Sequence, residues 1–433
     1  MSRRLLSEST SPPPEHSRMA KRPKLDHLTP ESFKNGIFLA PMVRSGALPT
    51  RLFALKHGAS LVWGPEMVDK AILHAERVVD PVTGVISYNG KSRAMFTTHP
   101  VEKPYLIYQI GSADPDLAVQ AAKTVMQDVS GVDLNCGCPK PFSTHSGMGA
   151  ALLTNPDLLC SILTALRAAM PPEITVTAKI RLLPTQADTL KLVERIINTG
   201  VSAITVHCRT RNMRPREKAL IERLKEIVDF VEGLGKGIAV IENGDCTGFD
   251  DAKRIRDLTG AHSVMIATAA ESNPSCFSPA PLMDVESTLI PSYLRLGKYL
   301  DNHWASTKFC MVQIKSTRSS LSKTDAHEFR STLSRAKGYD DLTSVVGEWT
   351  GEAEFQEIVK AIESRRGGAV LPPPQEAEQE DEGMDAPVCT PPNRANPEPP
   401  TSRAPLGPST ALRMPLPAII TGSDALTPTP TPG

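Results

Sequence analysis

Aromatic side chains are scarce, 5% of 433 residues, too few for broad base-stacking platforms. There is no net charge either: 48 Lys and Arg stand against 48 Asp and Glu. That excludes a globally polycationic binder, so any nucleic-acid footprint must be a local basic face. No apolar run approaches the ~20 residues of a membrane helix, so no membrane partner is expected. The eight cysteines, at 136, 138, 160, 208, 246, 276, 310 and 389, form no Cys-x-x-Cys arm, and no His-x-x-x-His occurs. Scattered thiols without a secretory leader point to a reducing compartment and to no bound metal.

Proline is abundant at both ends. Residues 1–32 mix Ser, Pro, Arg and Lys around Pro12-Pro13-Pro14, and 367–433 join a proline-rich stretch to an acidic knot from Glu376 to Asp385. Such segments bury too little to fold, so both are expected to be disordered. Lys21-Arg22-Pro23-Lys24 reads either as a nuclear address or as a solvated tail. The expected location is cytoplasmic and/or nuclear.

Between them, short apolar runs alternate with helical patterns. Strands are expected at 36–42, 59–66, 105–111, 131–137, 174–180, 202–207, 237–243 and 262–267. Each run is nearly continuous, as strands buried on both faces are. Asp114-Pro115 and Asn155-Pro156 open helices as cap and first residue. Asp188 and Asp250 are expected to start two more, and Leu220, Leu224, Ile227 and Val231 mark another. Eight strands with intervening helices predict an α/β fold, a (β/α)8 barrel over 33–285. The open doubly wound sheet would need a glycine-rich turn after the first strand, where Ala40-Pro41-Met42-Val43 stands. A small helical domain is expected over 286–366.

Barrel chemistry sits where strands end. Those ends carry Pro41-Met42, Glu66, Gln109, Asn135 to Cys138, Lys179, His207, Asn243-Gly244-Asp245 and Ala267-Thr268. Taken singly, His207 reads as a core histidine, Lys179 as a snorkelling lysine and Asn243-Gly244-Asp245 as a turn. Together they suit a phosphorylated cofactor, with a lysine placed to stabilise an anionic reduced ring.

The run Asp133-Leu134-Asn135-Cys136-Gly137-Cys138-Pro139-Lys140, followed by Ser146-Gly147-Met148-Gly149-Ala150-Ala151-Leu152, resembles the tRNA-dihydrouridine synthases. So do Leu39-Ala40-Pro41-Met42, Lys179-Ile180-Arg181, Val206-His207-Cys208-Arg209-Thr210 and Asn243-Gly244-Asp245. The form of these motifs is most similar to the eukaryotic subgroup acting on position 20 of the D-loop. The resemblance implies a flavin mononucleotide (FMN) enzyme recharged by NADPH, with tRNA as substrate; a monomer is expected. It implies that Pro41, Met42, Val43, Glu66, Gln109, Lys179, His207, Asn243, Gly244, Asp245, Ala267 and Thr268 surround the flavin and that Cys138 is the proton donor. In the family an arginine usually stands at Thr268 and an aliphatic residue at Cys136.

Candidate tRNA contacts are Asn135, Lys140 and Arg181 near the reacting base and a basic rim of Arg209, Arg211, Arg214 and Arg216. Lys308, Lys315 and Arg318 join them from the helical region, where basic residues outnumber acidic ones between 295 and 337. Two alternatives remain open from the residues: a flavin reductase of a free pyrimidine or enone, and a non-catalytic RNA binder on the same scaffold.

Overall fold

In the computed structural model, residues 27–91, 93–214, 216–315, 320–347, 351–364 and 371–372 are described. Residues 1–26, including Lys21–Lys24, residues 373–433 and Arg318 lie outside these residues, whereas parts of both expected tails are described: Pro30–Phe33 forms a single helical turn and Leu371 is buried. Each expected barrel strand is present: β1 (Ile37–Leu39), β2 (Leu61–Trp63), β7 (Leu106–Gly111), β8 (Gly131–Cys136), β9 (Thr175–Leu182), β10 (Ala203–Thr210), β11 (Ala239–Asn243) and β12 (Ser263–Ile266). All pair in parallel, in the order β2-β1-β12-β11-β10-β9-β8-β7, and β2 pairs with β7 to close the ring. Alternation along each strand sends one set of side chains inward and the other toward the helices. Phe38, Ala40, Leu61, Trp63, Ile107, Ala203, Ala239, Ile241 and Met265 pack together as the barrel interior, joined by Phe33. Phe38 and Trp63 lie 5.5 Å apart at ring centroids.

Four strands were not anticipated. β3 (Met67–Val68) pairs with β7, and β4 (Glu76–Val79), β5 (Ile86–Asn89) and β6 (Ala94–Thr98) form an antiparallel meander between β2 and β7. β4 is exposed throughout and shows no apolar alternation. A buried ion pair ties this insertion to the barrel. Arg51, on helix Leu48–Lys56, donates to Glu102 at 2.6 and 2.9 Å, to Thr97 O at 2.7 Å and to Gly46 O at 2.6 Å.

The helix starts follow capping chemistry. Asp114 accepts from the N–H groups of Asp116 and Leu117, and Asn155 from that of Leu158. Two expected starts shift. Thr185, not Asp188, caps Gln186–Ile197, and Asp188 lies in its first turn. Gly248, not Asp250, precedes Phe249–Thr259, whose first turn holds Asp250 and Asp251 where carboxylates suit the helix dipole. Helices Ile290–Tyr299, Trp304–Gln313, Lys323–Arg335 and Gly351–Ser364 follow the barrel. None of the described helices is long and apolar enough to cross a membrane.

Candidate active site

The inward positions at the carboxyl ends of β7 to β11 are polar. At the floor, Asp133 is fully buried and accepts from Gln109 Nε2 at 2.8 Å and from Thr177 Oγ1 at 2.6 Å. Burial outweighs these bonds and raises its carboxyl to about 6. Gln109 is thereby fixed, with its amide oxygen 3.4 Å from Asn135 Nδ2. Asp133 carries no expected role in the sequence reading. Its position two residues before Asn135, on the same face of the strand, was the available signal.

Above this floor, Lys179 Nζ donates to Asn243 Oδ1 at 2.7 Å, and Asn243 Nδ2 donates to Met265 O at 2.8 Å. Burial, with Arg181 nearby, lowers the lysine to about 8. His207 is the register partner of both Arg181 and Asn243. Burial and the cations Lys179, Arg181 and Arg209 depress it, so its imidazole is neutral near neutrality.

Cys138 leaves β8 on a turn clasped by Asn135, whose Oδ1 accepts from the N–H groups of Gly137 at 2.9 Å and Cys138 at 3.0 Å. The Ser-Gly-Met-Gly run folds back beneath it. Ala150 N donates to Cys138 O at 2.9 Å. Gly149 sits at φ +58°, where a Cβ would stand 2.7 Å from that carbonyl and collide with Ser143 Oγ. Glycine is needed there for conformation and for room. Arg181 braces the turn through Gly137 O at 2.8 Å. Cys136 instead points outward, fully buried against the surrounding helices. Cys138 is half-buried, and burial together with the Glu66 charge pushes its thiol up.

The loop after β11 turns at Asp245, φ +61°. Both carboxylate oxygens of Asp245 are held, by Arg209 Nη2 at 2.5 Å and by Ala219 N at 2.8 Å. Ala267 caps the short helix Thr268–Ser272, and Thr268 is exposed. Pro41 and Met42 are half-buried and Val43 is exposed just beyond β1.

The basic candidates divide. Arg209 is 6% exposed and anchors its loop through Asp245 and through Glu217 O at 2.7 Å. Arg211, Arg214 and Arg216 are exposed, and none forms an ion pair among the described residues. Lys140 is exposed beside Cys138. Lys308 Nζ donates to the carbonyls of Ser334 (2.7 Å) and Ala336 (2.8 Å), closing the end of helix Lys323–Arg335, whereas Lys315 is exposed.

Residues 38–324 match the dihydrouridine synthase (Dus) family. The chain is 46% identical over 319 residues to a tRNA-dihydrouridine(20) synthase of Schizosaccharomyces pombe, covering 72% of this chain and 64% of that protein. A Saccharomyces cerevisiae protein of the same name is 40% identical over 303 residues, with 65% and 78% covered. A tRNA-dihydrouridine(20a/20b) synthase of S. cerevisiae is 30% identical over 240 residues, with 55% and 60% covered. The match thus spans less than two thirds of the fission-yeast relative's length. With its barrel, its Asn135–Cys138 turn and its Lys179–Asn243 mouth, the chain belongs to the dihydrouridine synthase family.

Proposed function

We propose that this protein reduces the C5–C6 double bond of a uridine in the tRNA D-loop, at position 20, using bound FMN that is recharged by NADPH. The observation that carries the reading is the placement of Cys138, a half-buried thiol on a braced turn, at the same barrel mouth as the Lys179–Asn243 pair. The relatives named as position-20 synthases, with NAD(P)+ in their names, support the substrate and the reductant.

The donor set fits a flavin. Gln109, Lys179 and Asn243 offer hydrogen-bond donors and one cation to the ring. Asn243 and Gly244, at the end of β11, and Ala267 and Thr268, just after β12, would surround the ribityl chain and phosphate. Asp245 does not repel a phosphate there, because its carboxylate is neutralised by Arg209. When bound, the flavin supplies hydride to C6 of the uracil. Lys179 stabilises negative charge beside the ring, and neutral His207 adds no competing cation. Cys138 gives its S–H proton to C5, as a thiol kept protonated by its surroundings can. The target base must leave its stack to reach this depth. Arg211, Arg214, Arg216 and Lys315 are the exposed cations proposed to hold the phosphate backbone, with the helices from Ile290 onward as a second tRNA-gripping region.

The test is direct. Purified protein should show flavin absorbance and, with NADPH, form dihydrouridine at position 20 of an unmodified tRNA. A colourless protein, or one that reduces free uridine and leaves tRNA unchanged, overturns the reading.

A further inference from the structure

The turn after β1 leads from the barrel mouth to the helices beyond the barrel. It closes through Gly46 N, which donates to Met42 O at 2.8 Å, and a Cβ on Gly46 would stand 2.6 Å from that oxygen. The turn is braced on three sides. Arg51 Nη1 donates to Gly46 O at 2.6 Å, and Ser45 Oγ donates to Glu271 on helix Thr268–Ser272. Cys310 Sγ lies 3.9 Å from the carbonyl oxygens of both Arg44 and Ser45. Cys310 belongs to helix Trp304–Gln313, and the chain just after that helix is tied to the same short helix by Lys315 N to Ser272 O at 2.9 Å. One side chain of this braced turn is left open. Arg44 is exposed, and its guanidinium carbon lies over the Phe309 ring, 3.8 Å from the centroid. It forms no ion pair and no side-chain hydrogen bond among the described residues. Arg51, which also lies over a ring, is instead bonded to Glu102.

The geometry points to Arg44, laid on Phe309, as a clamp for a backbone phosphate of the tRNA, with Phe309 as its positioning residue. This rests on the reading of tRNA as the substrate. A guanidinium face held on a ring leaves the five in-plane N–H donors facing outward, a fork that matches two phosphate oxygens. Glu271, the acid that meets this turn, is engaged by Ser45 and does not compete. Position favours tRNA as the source of the phosphate. Arg44 lies where the mouth meets the helix that leads to exposed Lys315. It is also two residues from Met42, a span of at most ~7 Å. The phosphate it takes therefore belongs to a nucleotide close to the one whose base enters the mouth. Extruding a base requires the flanking backbone to be held while the stack opens. The phosphates of FMN and of NADPH share this chemistry, and the experiment separates them.

Binding of an unmodified tRNA transcript to the flavin-loaded protein, titrated at several salt concentrations, tests this without turnover. Arg44→Ala should weaken binding about tenfold, the scale of one charged hydrogen-bonded pair. It should also take roughly 0.7–0.9 off the log–log salt slope. Arg44→Lys keeps the charge and loses the fork, so affinity should fall about threefold with the slope unchanged. Phe309→Leu leaves the guanidinium to be ordered only on binding, so it should act like Arg44→Lys. In Arg44→Ala, flavin content and the KM for NADPH in flavin reduction should match the wild type. Wild-type affinity and slope in Arg44→Ala overturn the clamp. So do wild-type affinities in both Arg44→Lys and Phe309→Leu, which would make Arg44 one more exposed charge. Should Phe309→Leu fail to fold, Arg44→Lys alone decides that point. Lost flavin or a raised KM for NADPH, with tRNA binding intact, would give Arg44 to a cofactor phosphate and overturn the clamp as well. Wild-type protein that binds no tRNA would overturn the substrate reading and the clamp with it, a result distinct from any difference between the variants.

Discussion

Lys179 on β9 reaches past β10 to donate a 2.7 Å hydrogen bond to Asn243 on β11. The bond spans two strand spacings and aims the ammonium across the mouth. Replacing Lys179 by Ala removes the cation proposed to lie beside the reduced ring, so flavin occupancy and the rate of flavin reduction by NADPH should both fall. Absorbance of the purified variant and stopped-flow reduction report on each. Full occupancy with an unchanged rate would place the flavin elsewhere.

The same lysine sets a pH dependence. Burial lowers it from 10.5 to about 8 in the folded chain. Between those values the unfolded chain binds the extra proton, so this group makes stability rise with pH from about 8 to 10.5. Below about 8 the cost of charging it is constant. Lys179→Met removes that cost, so the variant's Tm relative to the wild type should be highest near pH 7 and decline toward pH 10. A Tm difference that is flat across that range would contradict the lowered lysine.

Cys138 and Cys136 separate proton donation from packing. Cys138→Ala should retain flavin and tRNA affinity and lose nearly all turnover. Cys136→Ala should stay active with stability reduced by about 1 kcal/mol, the usual scale for a buried truncation. Single-turnover assays and thermal melts on the two variants decide the matter, and the reverse pattern would reassign the acid.

How far the sequence disclosed this site follows from periodicity. Strands buried on both faces read as apolar runs, and a polar residue ending such a run, Gln109 or Asn243, marks the mouth without any coordinates. The meander from Glu76 to Thr98 was illegible because its outer strand is exposed throughout and lacks an apolar face. Two roles depended on pairings between residues distant in the chain. Arg209 looked like a rim cation until its bond to Asp245 appeared, 36 positions away, and Lys308 caps carbonyls more than 20 residues on. Glu66 and Ser143 lie 77 positions apart, so their hydrogen bond had no local signal.

The buried pair Arg51–Glu102 links the helix after β1 to the segment between the meander and β7, with side chains 1% and 0% exposed. Glu102→Ala would leave the guanidinium buried and without its counterion, at a cost of about 3–5 kcal/mol. Chemical denaturation should show that loss, and a change below about 1 kcal/mol would mean that water reaches Arg51.

Charge reversal at Arg211, Arg214 and Arg216 tests the proposed tRNA surface. Every cation–phosphate pairing that the reversal abolishes should take roughly 0.7–0.9 off the log–log salt slope, because fewer counterions are released on binding. Reduction of the flavin by NADPH does not involve these exposed side chains and should survive. Lys315→Glu should act in the same direction if the helices after the barrel also grip tRNA. Lys308→Ala should differ in kind, because Lys308 closes the end of helix Lys323–Arg335. It should lower Tm and leave the salt slope close to that of the wild type. Reversing the three arginines and Lys315 together separates a shared surface from two independent ones, since pairings with one tRNA all act on a single slope. An unchanged slope in the combined variant would remove tRNA from this face and shift the weight to a small-molecule substrate.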